Sequence, residues 1–272
     1  MNIIVTGATG FVGQHLVPLL LQQKHQVIAV ARNEKRAKQF DWYEKVQFIS
    51  HDIHYETLNL SSWGTPKILV HLAWSALPNY NSLHHLEDNL PGDQRFLRQM
   101  VEWGIEHVLV TGTCLEFGKQ NGPLSPNMPT LPDNPYSIAK DTLRRWLLAL
   151  QYEKKFVLQW VRLFYVYGPG QNPNSILSQL DRAIDNGESI FNMSGGEQLR
   201  DYLSVEEVVK YIVEMLNDPE KKGIFHCCSG KPISIRCLVE EHIEKRNASI
   251  ELNLGYYPYL EHEAMKFWGS EK

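Results

Sequence analysis

The chain has 272 residues, of which 43% are hydrophobic, with a net charge of −4 and four cysteines. That is enough apolar material for one large domain or two small ones, and the absence of a basic tract argues against a nucleic-acid partner. No apolar run reaches the roughly 18 residues of a membrane span, and none of Cys114, Cys227, Cys228 and Cys237 forms a C-x-x-C pair, so neither membrane nor zinc is expected. Met1-Asn2 leads into an apolar strand without a basic leader or cleavage site, which points to the reducing cytoplasm.

In chain order, an apolar strand over 3–6 runs straight into Gly7, Gly10 and Gly13, and a helical pattern with Leu16, Leu19 and Leu20 follows at once. This order predicts a turn, including Phe11 and Val12, whose backbone approaches a pyrophosphate at a helix N-terminus. Pro18 should kink that first helix or remove one of its hydrogen bonds. Short runs rich in Val, Ile and Leu recur over 27–31, 46–49, 68–72, 107–111 and 157–161, with helices between them, notably over 83–103 and 136–152. Alternation of this kind predicts an α/β fold, a Rossmann-like, doubly wound parallel sheet with right-handed crossovers. Within the helix over 83–103, His84-His85 reads as a solvated face rather than a metal site.

The pattern changes after residue 166. A turn-rich stretch, Gly168-Pro169-Gly170-Gln171-Asn172-Pro173, precedes helices over 175–186 and 205–216, a strand over 224–227 and a last helix over 235–245. The expected organisation is a dinucleotide-binding domain over 1–166 and a smaller substrate-binding C-terminal lobe over 167–272, partly interleaved with it. Cys227 and Cys228 read as packed thiols at a strand end. The default site is the crevice beyond the carboxyl ends of the strands.

Tyr136 and Lys140 form Y-x-x-x-K at the start of a helix, after Asn134-Pro135. Residues i and i+4 share a helix face, and an ammonium beside a phenol favours phenolate, which would bring the tyrosine into working range. A chain with twelve tyrosines yields this spacing by chance, so its position carries the argument. It follows the fifth strand, across a loop opened by Thr111-Gly112-Thr113, and Thr113 can hydrogen-bond the substrate oxygen that Tyr136 protonates. At the end of the second strand, Val30-Ala31-Arg32-Asn33 offers no carboxylate for a ribose. Arg32 suits a 2′-phosphate instead, which favours NADP(H), with NAD(H) possible if Arg32 merely stacks on adenine.

Taken together, these segments resemble the extended short-chain dehydrogenase/reductase family of nucleotide-sugar epimerases, dehydratases and reductases. The carriers are the glycine turn, His51-Asp52-Ile53, Val70-His71-Leu72-Ala73, Asn89, Val110-Thr111-Gly112-Thr113, Tyr136-Ser137-Ile138-Ala139-Lys140, Arg162-Leu163-Phe164, Tyr167-Gly168-Pro169-Gly170-Gln171 and Arg200-Asp201-Tyr202. The resemblance implies Tyr136 as acid/base, Thr113 as its partner and Lys140 on the nicotinamide ribose. It also implies Asp52 and Ile53 at the adenine, Leu72 and Ala73 along the cofactor, and Arg200 on a substrate diphosphate. Asn89 either positions the active-site helices or is a plain helix-surface residue. Tyr165 stands where some epimerases place a substrate-contacting Asn, and Phe117 where the family often has Tyr. Cys114 and Leu115 follow Thr113 where a dehydratase needs an acid pair; Glu116 remains available as an acid, with helix or loop solvation as its plain reading.

The expectation is an NADP(H)-dependent reductase of a nucleotide-linked keto-sugar, a 4-keto-6-deoxy sugar of cell-surface polysaccharide synthesis. The alternatives are a 4-epimerase with retained NAD and, remotely, a non-catalytic NADP-sensing regulator. Family members often dimerise through the tyrosine-bearing helix, and the apolar stripe Leu143, Trp146, Leu147 and Leu150 suggests a homodimer here.

Overall fold

The computed structural model describes residues 1–56, 59–259 and 264–270. Its centre is a seven-stranded sheet. The strands are β1 (Asn2–Thr6), β2 (Gln26–Ala31), β3 (Gln47–Ser50), β4 (Ile68–His71), β5 (His107–Thr113), β6 (Val157–Leu163) and β7 (Gly223–Cys227). Their order is β7-β6-β5-β4-β1-β2-β3, with every pair parallel. The order reverses between β1 and β4, and the carboxyl ends of these two strands open the crevice there.

Side chains alternate along each strand, so one strand feeds two cores. Ile3 and Val5 of β1 face one core, where they meet Leu16, Val17 and Leu20 of α1 (Gly13–Gln22). Ile4 faces the other, with Phe96, Leu97 and Met100 of α2 (Leu90–Trp103) and Leu143, Leu147 and Leu150 of α3 (Pro135–Glu153). Each such side chain contributes about 1.5–3 kcal/mol by leaving water. The stripe on α3 is therefore spent on the protein's own sheet, and it carries no argument for self-association. Pro18 does not end α1, which runs on to Gln22 around it.

Helix starts follow side-chain caps. Asn134 accepts the Ser137 N–H at 3.0 Å, and Pro135 opens α3 with its φ preset. The helix expected over 83–103 is in two parts: a wide π-type turn, His85–Asn89, and then α2. The extra residue per turn rotates His85 and Asn89 inward, and both are fully buried. The solvated reading of the His84-His85 pair thus fails at His85, while His84 stays at the rim, 2.8 Å from Asp88.

The later segments do two things. Helix α5 (Val205–Asn217) packs its Val208 and Ile212 on the α1 side of the sheet, and β7 extends that sheet beside β6. Helices α4 (Ile176–Asp185) and α6 (Ile235–Arg246) instead build a small separate core around Leu180, Phe191 and Val239. Among the described residues no helix is long and apolar enough to cross a membrane.

Candidate active site

The turn after β1 is shaped by close backbone approach. Gly7 has φ +68°, and a Cβ there would lie 2.8 Å from the Ala73 nitrogen. At Gly13 a Cβ would lie 2.3 Å from the Gly7 carbonyl oxygen. The Gly10 N–H closes the turn on that same oxygen at 2.8 Å. Val12 offers no side-chain cap to α1, so the turn containing Phe11 and Val12 leads into a helix start suited to an anion. His15 reaches the Pro169 carbonyl at 2.8 Å, which ties the later Gly168-Pro169-Gly170 loop to this turn.

Beneath the turn lies a buried polar chain. The Ala73 N–H donates to the Thr6 hydroxyl oxygen at 3.4 Å, and that oxygen lies 3.0 Å from His71 Nδ1. His71 Nε2 is 3.3 Å from Asp93, whose other oxygen accepts from His54 at 2.7 Å. Burial works against the Asp93 carboxylate, but His71 and His54 outweigh it and hold the group down at about 2. The chain links Ala73 to the segment carrying Asp52 and Ile53. Ile53 packs on the core, as does Leu72 on the other face. Asp52 accepts the His54 N–H at 3.0 Å and lies 3.8 Å from the Arg32 guanidinium, whose side chain is 64% exposed.

Tyr136 and Lys140 sit on the first turns of α3, facing the end of β5. Tyr136 is 7% exposed, and its phenol lies against the Thr113 hydroxyl. Burial raises the phenol well above its ordinary range. The ammonium of Lys140 is directed to the Thr111 carbonyl at 3.0 Å and lies 3.9 Å from the centroid of the Trp74 ring. Burial brings that lysine down to about 8. Desolvation thus acts on Tyr136 against the direction expected of Lys140.

Glu116 is not a solvated loop residue. It is fully buried and accepts from the Thr113 N–H and Trp160 Nε1 (each 3.0 Å) and from Arg162 Nε (2.7 Å). It holds the backbone of Thr113 in place. Cys114 is a buried thiol raised to about 12 by burial, so it stays protonated.

Across the cleft, Arg200 is 2% exposed. Its guanidinium lies 4.5 Å from the Phe267 ring centroid and 5.8 Å from that of Tyr165, and it hydrogen-bonds the Tyr165 phenol. Burial raises Tyr165 as well. The neighbouring Asp201 accepts from the backbone of Ser229 (2.7 Å), Gly230 (2.9 Å) and Gly269 (3.2 Å), which locks this wall to the end of the chain.

Four contributors have no motif in the sequence. Trp74 and Tyr80 pack their rings on Tyr136 at 5.8 and 5.5 Å, and His85 does so at 5.3 Å. Ser75 binds Asn89 through its hydroxyl at 2.5 Å and its carbonyl at 3.1 Å, which makes Asn89 an internal tie rather than a surface residue. The aromatic signal at Trp74, directly after Ala73, was the one visible hint.

The turn fits a dinucleotide: its backbone is packed too closely at Gly7 and Gly13 for any side chain, and it opens α1 without a side-chain cap, which leaves the helix N-terminus for the pyrophosphate. The chain matches the NAD dependent epimerase/dehydratase family over residues 3–228. It is 33% identical over 277 residues to dTDP-6-deoxy-L-talose 4-dehydrogenase (NAD(+)) of Aggregatibacter actinomycetemcomitans, covering 100% of both chains. It is 26% identical over 268 residues to UDP-glucose 4-epimerase of Halalkalibacterium halodurans, covering 88% of this chain and 79% of that one. Among solved structures, MoeE5 in complex with UDP-glucuronic acid and NAD superposes with a TM-score of 0.82 at 26% identity, covering 99% of this chain and 90% of that one. Fold, motifs and full-length similarity together make this chain a member of the NAD-dependent epimerase/dehydratase family, the nucleotide-sugar branch of the extended short-chain dehydrogenases/reductases.

Proposed function

We propose that the protein is a nicotinamide-dependent oxidoreductase acting at C4 of a nucleotide-linked 6-deoxyhexose, working as a reductase of the 4-keto sugar. The observation that carries this reading is the phenol of Tyr136, buried on the first turn of α3 against Thr113, with Lys140 one turn on. Such a phenol is built to give a proton to an oxygen that becomes an alkoxide. Thr113 holds that oxygen beside the phenol. Lys140, on the next turn of α3, stabilises the phenolate that proton transfer leaves. When bound, the cofactor supplies the hydride. Gly7, Gly10, Phe11, Val12 and Gly13 would hold its pyrophosphate, with Leu72 and Ala73 along it and Asp52 and Ile53 at the adenine. Arg200 would take the substrate diphosphate, for which a guanidinium has a matching fork, with Tyr165 beside it.

Elimination of water is disfavoured because no free carboxylate adjoins Thr113: Cys114 and Leu115 follow it, and Glu116 is consumed by Arg162 and Trp160. The full-length similarity to a 4-dehydrogenase supports net redox chemistry over epimerisation. For the cofactor, the exposed Arg32 and the missing carboxylate at the end of β2 support NADPH. The NAD(+) in that relative's name supports NADH as the second reading.

The test is cofactor oxidation with a panel of dTDP- and UDP-linked 4-keto-6-deoxy sugars. Stoichiometric oxidation, faster with NADPH, is the expected result. Interconversion of unreduced nucleotide sugars without net oxidation would replace the reductase by a 4-epimerase, and faster turnover with NADH would remove Arg32 as a phosphate reader.

A further inference from the structure

Lys140 is 3% exposed, and among the described residues no carboxylate lies within ion-pair distance of its ammonium. Burial without a counter-ion drives a lysine toward the neutral amine. The two groups it does touch are the Thr111 carbonyl at 3.0 Å and the face of Trp74 at 3.9 Å. A desolvated ammonium over an indole is the favourable geometry for cation–π attraction.

The indole is held there by its other edge. Trp74 Nε1–H donates to His85 Nδ1 at 3.1 Å, and His85 Nε2 lies 2.8 Å from the Asn79 carbonyl oxygen. An indole N–H can only donate and a carbonyl can only accept, so the imidazole is fixed as the neutral tautomer with its proton on Nε2. Burial lowers His85, in keeping with that state. Asn89, itself tied to Ser75, adds a second donor to Nδ1 at 3.3 Å. The clamp is thus complete on every polar atom.

We propose that Trp74 is a positioning residue for Lys140: its indole face, clamped by His85, stands in for a counter-ion and keeps the buried ammonium charged and fixed beside Tyr136. Other groups act on Lys140 from neighbouring elements. Asp93 of α2 and Glu116 after β5 favour its charge at longer range, and His85 couples to it with the opposite sign. Tyr136 precedes it by one turn on α3. Of the side chains that favour its charge, Trp74 is the one in contact, beside the Thr111 backbone carbonyl. The inference rests on the proposed function only for the step that Lys140 serves, since the charge state itself can be read without turnover.

The experiment is the pH dependence of NADH and NADPH binding, followed by cofactor fluorescence, in the wild type and in Trp74→Leu, Trp74→Phe and Lys140→Met, with melting temperatures alongside. In the wild type, affinity should fall on an alkaline limb, and Lys140→Met should lack that limb, which assigns it. Trp74→Leu stays apolar but loses the aromatic face, and its limb should move to lower pH by about one unit, the order expected for a desolvated cation–π contact. Trp74→Phe should recover most of the shift. A limb unmoved in a folded Trp74→Leu, or moved equally in Trp74→Phe, would overturn the proposal. If Trp74→Leu does not fold, Trp74→Phe against His85→Gln decides: loosening the clamp must move the limb more than exchanging the ring. Absence of sugar turnover in the wild type would sink the functional reading and leave this binding test intact.

Discussion

On one side of the cleft, Gly7 and Gly13 bring backbone against backbone, and the strand ends of a seven-stranded sheet fix where that happens. On the other side, Arg200, Tyr165 and Phe267 face one another through their side chains, from segments far apart in the chain that only short backbone pairings join, such as the Tyr165 N–H on the Asp201 carbonyl at 3.0 Å. The first side is held by two large cores on the faces of the sheet, the second by a small cluster around Phe117, Phe164 and Phe267. Backbone-built sites tolerate little change in residue type but keep their geometry. Side-chain walls can be re-cut one residue at a time, which is where a fold shared by many reactions sets its specificity.

Substitutions should separate the two sides. Tyr136→Phe removes the proton donor and should lower kcat by about 10²–10⁴-fold, with cofactor affinity retained. Near-normal turnover in this variant would remove the mechanism. Next in size, Asp93 should connect the cofactor side to acid stability. Its folded pKa of about 2 lies below the ordinary 3.8. The group therefore contributes stability fully above pH 4 and loses it as pH falls toward 2, about 2 kcal/mol in all. Asp93→Asn should flatten that acid slope in a denaturation series and weaken cofactor binding, while Tyr165 and Arg200 stay in place. An unchanged slope would place the acid sensitivity elsewhere. Arg200→Lys keeps the charge but loses the fork, and should raise the sugar-nucleotide KM about tenfold or more without changing cofactor affinity. A loss of cofactor affinity instead would erase the distinction between the two sides. The smallest effect is expected at Arg32, where Arg32→Ser should cut any preference for NADPH by about tenfold, as read from the ratio of kcat/KM values for the two cofactors.

What the sequence made legible follows the same division. Six of the strands lie where short Val/Ile/Leu runs predict them in the first part of the chain; five of these are largely buried and so mostly apolar, while the edge strand β3 is half-exposed. The glycine turn and the Tyr136–Lys140 pair were legible because spacing alone puts their atoms together. The role of Glu116 was not legible because its partners Trp160 and Arg162 lie one strand over, and no local pattern shows that a carboxylate will be enclosed by them. His85 was misread because a helical repeat points it outward and the π-type turn points it inward. The stripe on α3 was legible as apolar, but periodicity cannot say whether a helix face meets its own sheet or a second copy. The pull of Lys140 on Tyr136 is argued from spacing, which does not show the burial that acts on the phenol in the opposite direction.

The central claim is net hydride transfer to C4 of the sugar with a proton from Tyr136. The most direct test uses a cofactor carrying deuterium on the transferred position and a dTDP-linked 4-keto-6-deoxyhexose, with the product read by NMR. Deuterium at C4, in amounts matching the oxidised cofactor and lost in Tyr136→Phe, is the predicted result. A product without deuterium, formed while the cofactor stays reduced, would contradict the account.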